Sequence, residues 1–311
     1  MKSRLIIIRI VLLFLIILAF SFLFTSCQLH KQSPTPESPK STFKSTFPKD
    51  DLGRPVDLSK PAQRVAVIGP GATEVLFDLG LGGRIVGRDQ ISDYPPATSK
   101  IPIIGNFTGP FFEKVIAAQP DLLIMQGETW DAARVATYQQ KTGVPVAALT
   151  APTLQAAADD IRKMGAWLGE TTKADALATR LDAAIKNAPG ADISAFIQIS
   201  NPPLWTAGKG TLVSDIAEHC GFTNVAKVGG YKQFGVESLL ALNPDVYIVP
   251  SDGADAAKVL SALRADAQLR DLKAVKSGQV IVIDSDLLLR PGPRLLEGIA
   301  QLRAAAAKYH S

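Results

Sequence analysis

Along this chain the apolar residues change rhythm, and the changes mark its parts. Ile10 to Phe24 is a nearly unbroken apolar run, preceded by Lys2, Arg4 and Arg9 and ended by Thr25, Ser26 and Cys27. A basic start, a short apolar stretch and small residues at its end are the layout of a secretory signal, residues 1–26. The run is shorter than the roughly 20 residues of a spanning helix. Leu5 to Ile8 would extend it across Arg9, which leaves an uncleaved anchor as the alternative. Residues 27–47 then lose apolar periodicity, with Ser, Thr, Lys and Gln around the closely spaced Pro34, Pro36 and Pro39. That composition predicts a flexible tether, which as a coil spans on the order of 25 Å.

From residue 48 the rhythm is that of packed strands and helices. Asp50-Asp51-Leu52-Gly53-Arg54 predicts a tight turn flanked by short strands, with Gly53 supplying the positive φ. Arg64 to Ile68, Ile85 to Gly87, Leu122 to Met125 and Val146 to Leu149 have strand length; Ala72 to Leu81, Phe112 to Ala118 and Trp130 to Thr142 have helical spacing. Strands alternating with helices predict a mainly parallel sheet in an N-terminal α/β lobe, residues 48–152. Residues 153–188 contain no Pro and only Gly165 and Gly169, and predict a bridge of one long helix or two abutting ones. A second α/β series fills residues 189–311: Ile193 to Ile199, Leu212 to Cys220, Val236 to Leu242, Val246 to Val249, Ala257 to Leu263, Val280 to Ile283 and a final helix from Pro293 to Tyr309. The fold class is α/β, two lobes joined by a helical bridge.

Composition narrows the function. Of 311 residues, 47% are hydrophobic and 20% charged, enough apolar material for two lobes and unlike a disordered chain. The formal net charge of +4 includes the three basic residues of the signal and falls to about +1 without them. Nucleic-acid binding then lacks electrostatic support. Phe24-Thr25-Ser26-Cys27 resembles the bacterial lipobox, which implies an acylated Cys27 as the new N-terminus, firmly held at a membrane if it carries more than one acyl chain. Cys220 is the other cysteine, so the mature domain forms no internal disulfide, and its apolar-periodic surroundings predict a buried, inert thiol.

Two glycine-rich turns invite a phosphate reading that their spacing refuses. Gly69-Pro70-Gly71-Ala72-Thr73-Glu74 lies between a strand and a helix, but Glu74 stands where a dinucleotide fingerprint has its third glycine. What survives is a helix N-terminus whose backbone N–H groups would face a ligand. Gly208-Lys209-Gly210-Thr211 has Gly210 where a phosphate loop needs Ser or Thr. His30, His219 and His310 fall in the tether, a helix and the last two residues, which argues against a convergent metal set. No Gly-x-Ser-x-Gly elbow occurs, and no Ser or Cys pairs with an evident base, so catalysis has little support.

The chain also echoes itself. Glu113-Lys-Val-Ile-Ala-Ala-Gln-Pro120-Asp121-Leu-Leu-Ile and Glu237-Ser-Leu-Leu-Ala-Leu-Asn-Pro244-Asp245-Val-Tyr-Ile share length and pattern: a short helix opening on a glutamate, Pro-Asp, then a buried strand. Each glutamate is a favourable partner for its helix dipole, and the repeat at identical spacing argues equally for a shared external role.

From about Phe47 to Ala306 the chain resembles the helix-hinged substrate-binding proteins of bacterial ABC importers, the group that takes up cobalamin, ferric siderophores and heme. The likeness rests on DDLGRPVDLSKPAQRVAVIGPGATEVLFDLG, VGRDQISDYPP, EKVIAAQPDLLI, NPPLWTAGKGTLVSDIAEHCGFTNVA, ESLLALNPDVYIV and RPGPRLLEGI, six segments in order. It implies a long helix between the lobes, limited hinge motion, a monomer with no intrinsic cofactor, and a ligand lodged between the lobes. By position it places Pro70, Gly71, Tyr94, Phe107 and Trp130 on the N-lobe wall and Trp205, Tyr231, Asp286 and Arg290 on the C-lobe wall. Aromatic faces suit a bulky ring at small entropy cost, and Arg290 suits a ligand carboxylate or phosphate, or Asp286. Glu113 and Glu237 would dock on arginines of the permease that works with the ATPase.

Among metal chelates, RPGPR and NPPLWTAGKG most resemble the vitamin B12-binding members, so a corrinoid ranks first and a ferric siderophore second. Heme is third, with Tyr94 as the phenolate that would ligate its iron. The cysteine pair that bridges some B12 binders is absent.

Overall fold

The computed structural model describes residues 47–106, 108–190 and 192–309. The signal, Cys27, most of the tether, Phe107, His30 and His310 therefore lie outside the described residues. Ser45–Ser311 forms one compact unit that holds both lobes and the bridge. Among the described residues no helix is long and apolar enough to cross a membrane.

The N-lobe comprises β1 (Val65–Ile68), α1 (Pro70–Asp78), β2 (Ile85–Asp89), β3 (Ile103–Asn106), β4 (Gly109–Pro110), α2 (Phe112–Ala118), β5 (Leu122–Gln126), α3 (Ala132–Thr142) and β6 (Val146–Leu149). Its strands lie in the order β4-β3-β2-β1-β5-β6, parallel except at β3–β4. Val65 and Val67 of the central strand join one buried cluster while Ala66 and Ile68 join another, so both sheet faces are covered, as a parallel sheet requires.

The turn at residues 50–54 forms without the predicted flanking strands. Carboxylates take the donors that a strand ladder would use: Asp50 accepts from the Leu52, Arg54 and Ala148 amides, and Asp51 from the Thr150 amide.

The bridge is a helical hairpin and not one continuous helix. α4 (Leu154–Leu168) ends at Gly169, whose φ of 76° is the left-handed conformation that stops a helix, and α5 (Thr171–Lys186) turns back along it. Arg162 of α4 reaches Asp175 at 3.0 Å and Asp182 at 2.5 Å, residues two turns apart on α5. Gly165 makes the close approach possible, since a Cβ there would overlap the methyl of Ala174.

The C-lobe comprises β7 (Ile193–Ser200), β8 (Trp205–Ala207), α6 (Leu212–Glu218), β9 (Phe222–Asn224), β10 (Tyr231–Gln233), α7 (Val236–Leu242), β11 (Val246–Ser251), α8 (Ala256–Ala265), α9 (Lys273–Ser277), β12 (Val280–Asp284), α10 (Asp286–Leu289) and α11 (Leu295–Ala307). Its order is β10-β8-β7-β11-β12, with β9 also on β7. This sheet is mixed, since β8 runs antiparallel to both β7 and β10. The four residues between β7 and β8 allow only a direct return, whereas a parallel neighbour needs a crossover of a dozen residues or more.

One cluster of buried side chains runs from Val65 and Leu76 through Leu154, Met164 and Trp167 of the bridge to Ile197, Leu212 and Leu302 of the C-lobe. The lobes and bridge thus share a continuous core along one side. Cys220 belongs to it, fully buried, and burial pushes its thiol up to about 12.

Candidate functional site

In a parallel α/β sheet the loops at the carboxyl ends of the strands carry the ligand site. Here those loops meet between the lobes. After β1, Pro70 opens α1 half-buried and Gly71 is buried. A Cβ on Gly71 would overlap the carbonyl of Pro291, and one on Gly292 would come within 2.9 Å of the Gly71 carbonyl. Gln126, at the end of β5, accepts from the Ala72 amide through Oε1 at 2.6 Å and donates through Nε2 to the Pro291 carbonyl at 2.9 Å. The Gly69 amide donates to buried Asp89 at 2.7 Å. The Gly69 and Ala72 amides are therefore engaged by the protein's own side chains, and the RPGPR segment lies directly on this turn.

Charge ties the same two surfaces. Arg294 grips Glu74 with two hydrogen bonds, Nε to Oε2 at 3.0 Å and Nη2 to Oε1 at 2.7 Å. Arg290 meets Asp93 at 2.8 Å, Asp286 at 2.6 Å and Glu74 at 3.8 Å; Arg294 also meets Asp286 at 3.3 Å. Glu74 is 2% exposed, and its burial raises its pKa despite the two guanidinium groups that pull it down. Asp93 is held below its ordinary value: its partial burial acts upward, but Arg290, a backbone hydrogen bond and Arg294 together outweigh it. Sequence reasoning offered Arg290 either a ligand anion or Asp286 as its partner, and the pair with Asp286 is present. It missed Glu74, Asp93, Gln126 and Arg294, although Arg294 closes the RPGPR pattern and Glu74 occupies the third-glycine position of the turn after β1.

The aromatic residues divide. Trp205 of β8 pairs with Gln233, and Ala207 with Tyr231, so Trp205 and Tyr231 are diagonal neighbours on one face of the β8–β10 ribbon. Trp205 is 38% exposed; Tyr231 is half-buried and its hydroxyl donates to Glu128 of the N-lobe at 3.3 Å. Burial, then the Glu128 charge, pushes the Tyr231 pKa up, and burial also raises that of Glu128. Tyr94 is 44% exposed, with the Arg294 guanidinium 4.1 Å from its ring centroid. Trp130 corrects the expectation: at 6% exposure it packs in the N-lobe core, edge-on to Tyr138 and under Arg134, and offers little wall to a guest. It directly precedes Asp131, which caps α3 by accepting from the Arg134 amide.

Residues 65–287 match the family described as periplasmic binding protein. This chain belongs to that family. An ABC transporter substrate-binding lipoprotein of Bacillus subtilis, YvrC, is 29% identical over 265 residues, covering 81% of this chain and 82% of its own. The crystal structure of the periplasmic vitamin B12 binding protein BtuF of Vibrio cholerae superposes with a TM-score of 0.70 at 25% identity, covering 81% and 99% of the two chains. That of a periplasmic heme binding protein from Pseudomonas aeruginosa gives 0.67 at 30% identity, covering 80% and 94%. As a periplasmic binding protein the chain is the extracytoplasmic substrate-binding component of an ABC importer, working with a permease and an ATPase, and not an enzyme.

Two further features of this periplasmic binding protein come from its internal echo. Asp121 caps the start of β1 by accepting from the Gln63 and Arg64 amides, and Asp245 holds Ser194 and Lys273 at the start of β7. The repeated aspartates are thus structural. Glu113 and Glu237 instead stand exposed in the first turns of α2 and α7, with no ion-pair partner among the described residues. Each of these helices leads into a strand of a parallel pairing, so its N-terminus lies at the carboxyl edge of its sheet, on the side of the cleft.

Proposed function

We propose that this periplasmic binding protein captures a corrinoid between its lobes and delivers it to its permease. The observation that carries this reading is the exposed ring of Trp205 sharing a ribbon face with Tyr231, together with the exposed Tyr94 of the N-lobe. Flat apolar area of this kind suits a large, rigid macrocycle. The resemblance of RPGPR and NPPLWTAGKG to vitamin B12 binders, and the likeness to the Vibrio cholerae structure, support the same ligand class. In this reading Pro70 and Phe107 complete the N-lobe wall, Arg290 and Asp286 fix the floor, Cys27 carries the lipid anchor, and the protein acts as a monomer. Glu113 and Glu237 meet arginines of the permease.

The test is a titration with cyanocobalamin, followed by tryptophan fluorescence and by calorimetry. One molecule bound per chain is expected, with Trp205→Ala weakening it about tenfold or more, the loss of one well-placed aromatic anchor. Failure to bind cyanocobalamin, together with a hemin Soret shift that disappears in Tyr94→Phe, would transfer the reading to heme. Capture of a ferric siderophore alone would transfer it to that class.

A further inference from the structure

The charges that cross the cleft are unequal. Two guanidinium groups, Arg290 and Arg294, face three carboxylates, Glu74, Asp93 and Asp286, every one within 3.8 Å of a guanidinium nitrogen. Both arginine side chains are largely covered, at 12% and 14% exposure, so neither presents a free fork. Glu128 adds a fourth carboxylate, touching Tyr231 from the other lobe. Of the other cations, Arg88 donates to the Thr98 and Asp89 carbonyls, Arg134 lies over Trp130 and donates to the Thr108 carbonyl, and Arg180, beside Glu74 and Arg294, is accompanied there by two more carboxylates, Asp78 and Glu297. Lys232 alternates with Tyr231 and Gln233 along β10, so it belongs to the other face of the ribbon, paired with Thr206.

An anionic guest gains Arg290 or Arg294 only by taking it from a carboxylate. Drawing Arg290 away would leave Asp93 without its partner, and Asp286 and buried Glu74 with Arg294 alone, in a partly desolvated gap, where like charges repel more strongly than in water. A neutral guest rich in amide donors meets acceptors instead, and a cationic guest gains directly. We infer that the cleft selects neutral or cationic chelates and rejects anionic ones. This rests on the reading above, that the cleft between the lobes holds a metal chelate, and adds the charge class of that ligand.

The experiment compares probes of different charge on the full chain in mild detergent: neutral cyanocobalamin, cationic aquocobalamin, a cationic ferric trihydroxamate, a triply anionic ferric tris-catecholate and hemin. Cyanocobalamin and aquocobalamin should bind, and the cationic siderophore should exceed the anionic one by about tenfold or more at low ionic strength, with the gap shrinking in high salt. Asp93→Asn and, independently, Glu128→Gln should each narrow that gap by about fivefold, the effect of one rim charge. A tris-catecholate or hemin affinity equal to or above that of the neutral and cationic probes, or a gap unmoved in both well-folded variants, would overturn the charge inference while leaving chelate capture standing. Binding of none of the five would overturn the proposed function itself.

Discussion

Asp160 shows how far one buried residue can depart from its surface behaviour. It lies on α4, 1% exposed, with Oδ1 near Lys163 Nζ at 3.1 Å and Oδ2 without a hydrogen-bond partner among the described residues. Burial, then the charge of Asp51, raises it from 3.8 to about 8, against the pull of Lys163. Asp51 moves the other way: burial acts upward, but Lys163, the Thr150 amide and Asp160 together hold it below its ordinary value. At neutral pH the folded chain therefore keeps a proton on Asp160 that the unfolded chain releases. The resulting stability is fully present below about pH 4 and is lost as the pH rises through about 8. Asp160→Asn, which cannot ionise, should lose this slope and unfold several degrees higher than the unmodified protein near pH 9, at about 2–4 °C per kcal/mol. Parallel melting curves at pH about 6 and about 9 measure it; an unchanged slope would mean that Asp160 is ionised in the fold.

At the scale of elements, the bridge depends on small residues where its helices touch. Alanine is favoured over glycine inside a helix by about 1 kcal/mol, so Gly165→Ala would stabilise an isolated α4. In the hairpin the added methyl meets Ala174, and overpacking of this kind costs about 1–3 kcal/mol. The substitution should therefore lower the urea midpoint with little change in slope; a higher midpoint would show that the helices separate without cost. The hydrophobic rhythm of residues 153–188 was enough to predict helix, but not its course. The positive φ of Gly169 and the Arg162 contacts with Asp175 and Asp182 turn the second helix back on the first, and a local pattern does not contain them.

For the molecule as a whole, the shared core and the RPGPR contact join the lobes at two places, which fits a binder of limited hinge motion. Delivery then depends on surfaces that both lobes present to the permease. Glu113→Ala with Glu237→Ala should abolish uptake of the captured ligand by cells while leaving binding by the purified protein intact, since exposed charges at such a rim act on encounter and orientation. Uptake that survives the double substitution removes these glutamates from docking.

The sequence alone determined the α/β class, the two lobes, the order of most strands and helices, and the family, because apolar periodicity and short ordered motifs are local properties of a chain. It marked Trp205 and Tyr231, which the ribbon register places on one face, and Trp130, which the fold turns inward. Tertiary structure decided the rest: that Gly71 lies under Pro291, that the backbone of the β1–α1 turn is engaged by Gln126 and Asp89, and that Arg290 and Arg294 are matched by Glu74, Asp93 and Asp286. These partners are separated by up to 220 positions in the chain. Which charge meets which across that distance depends on how the two lobes come together, and no spacing within either lobe encodes it.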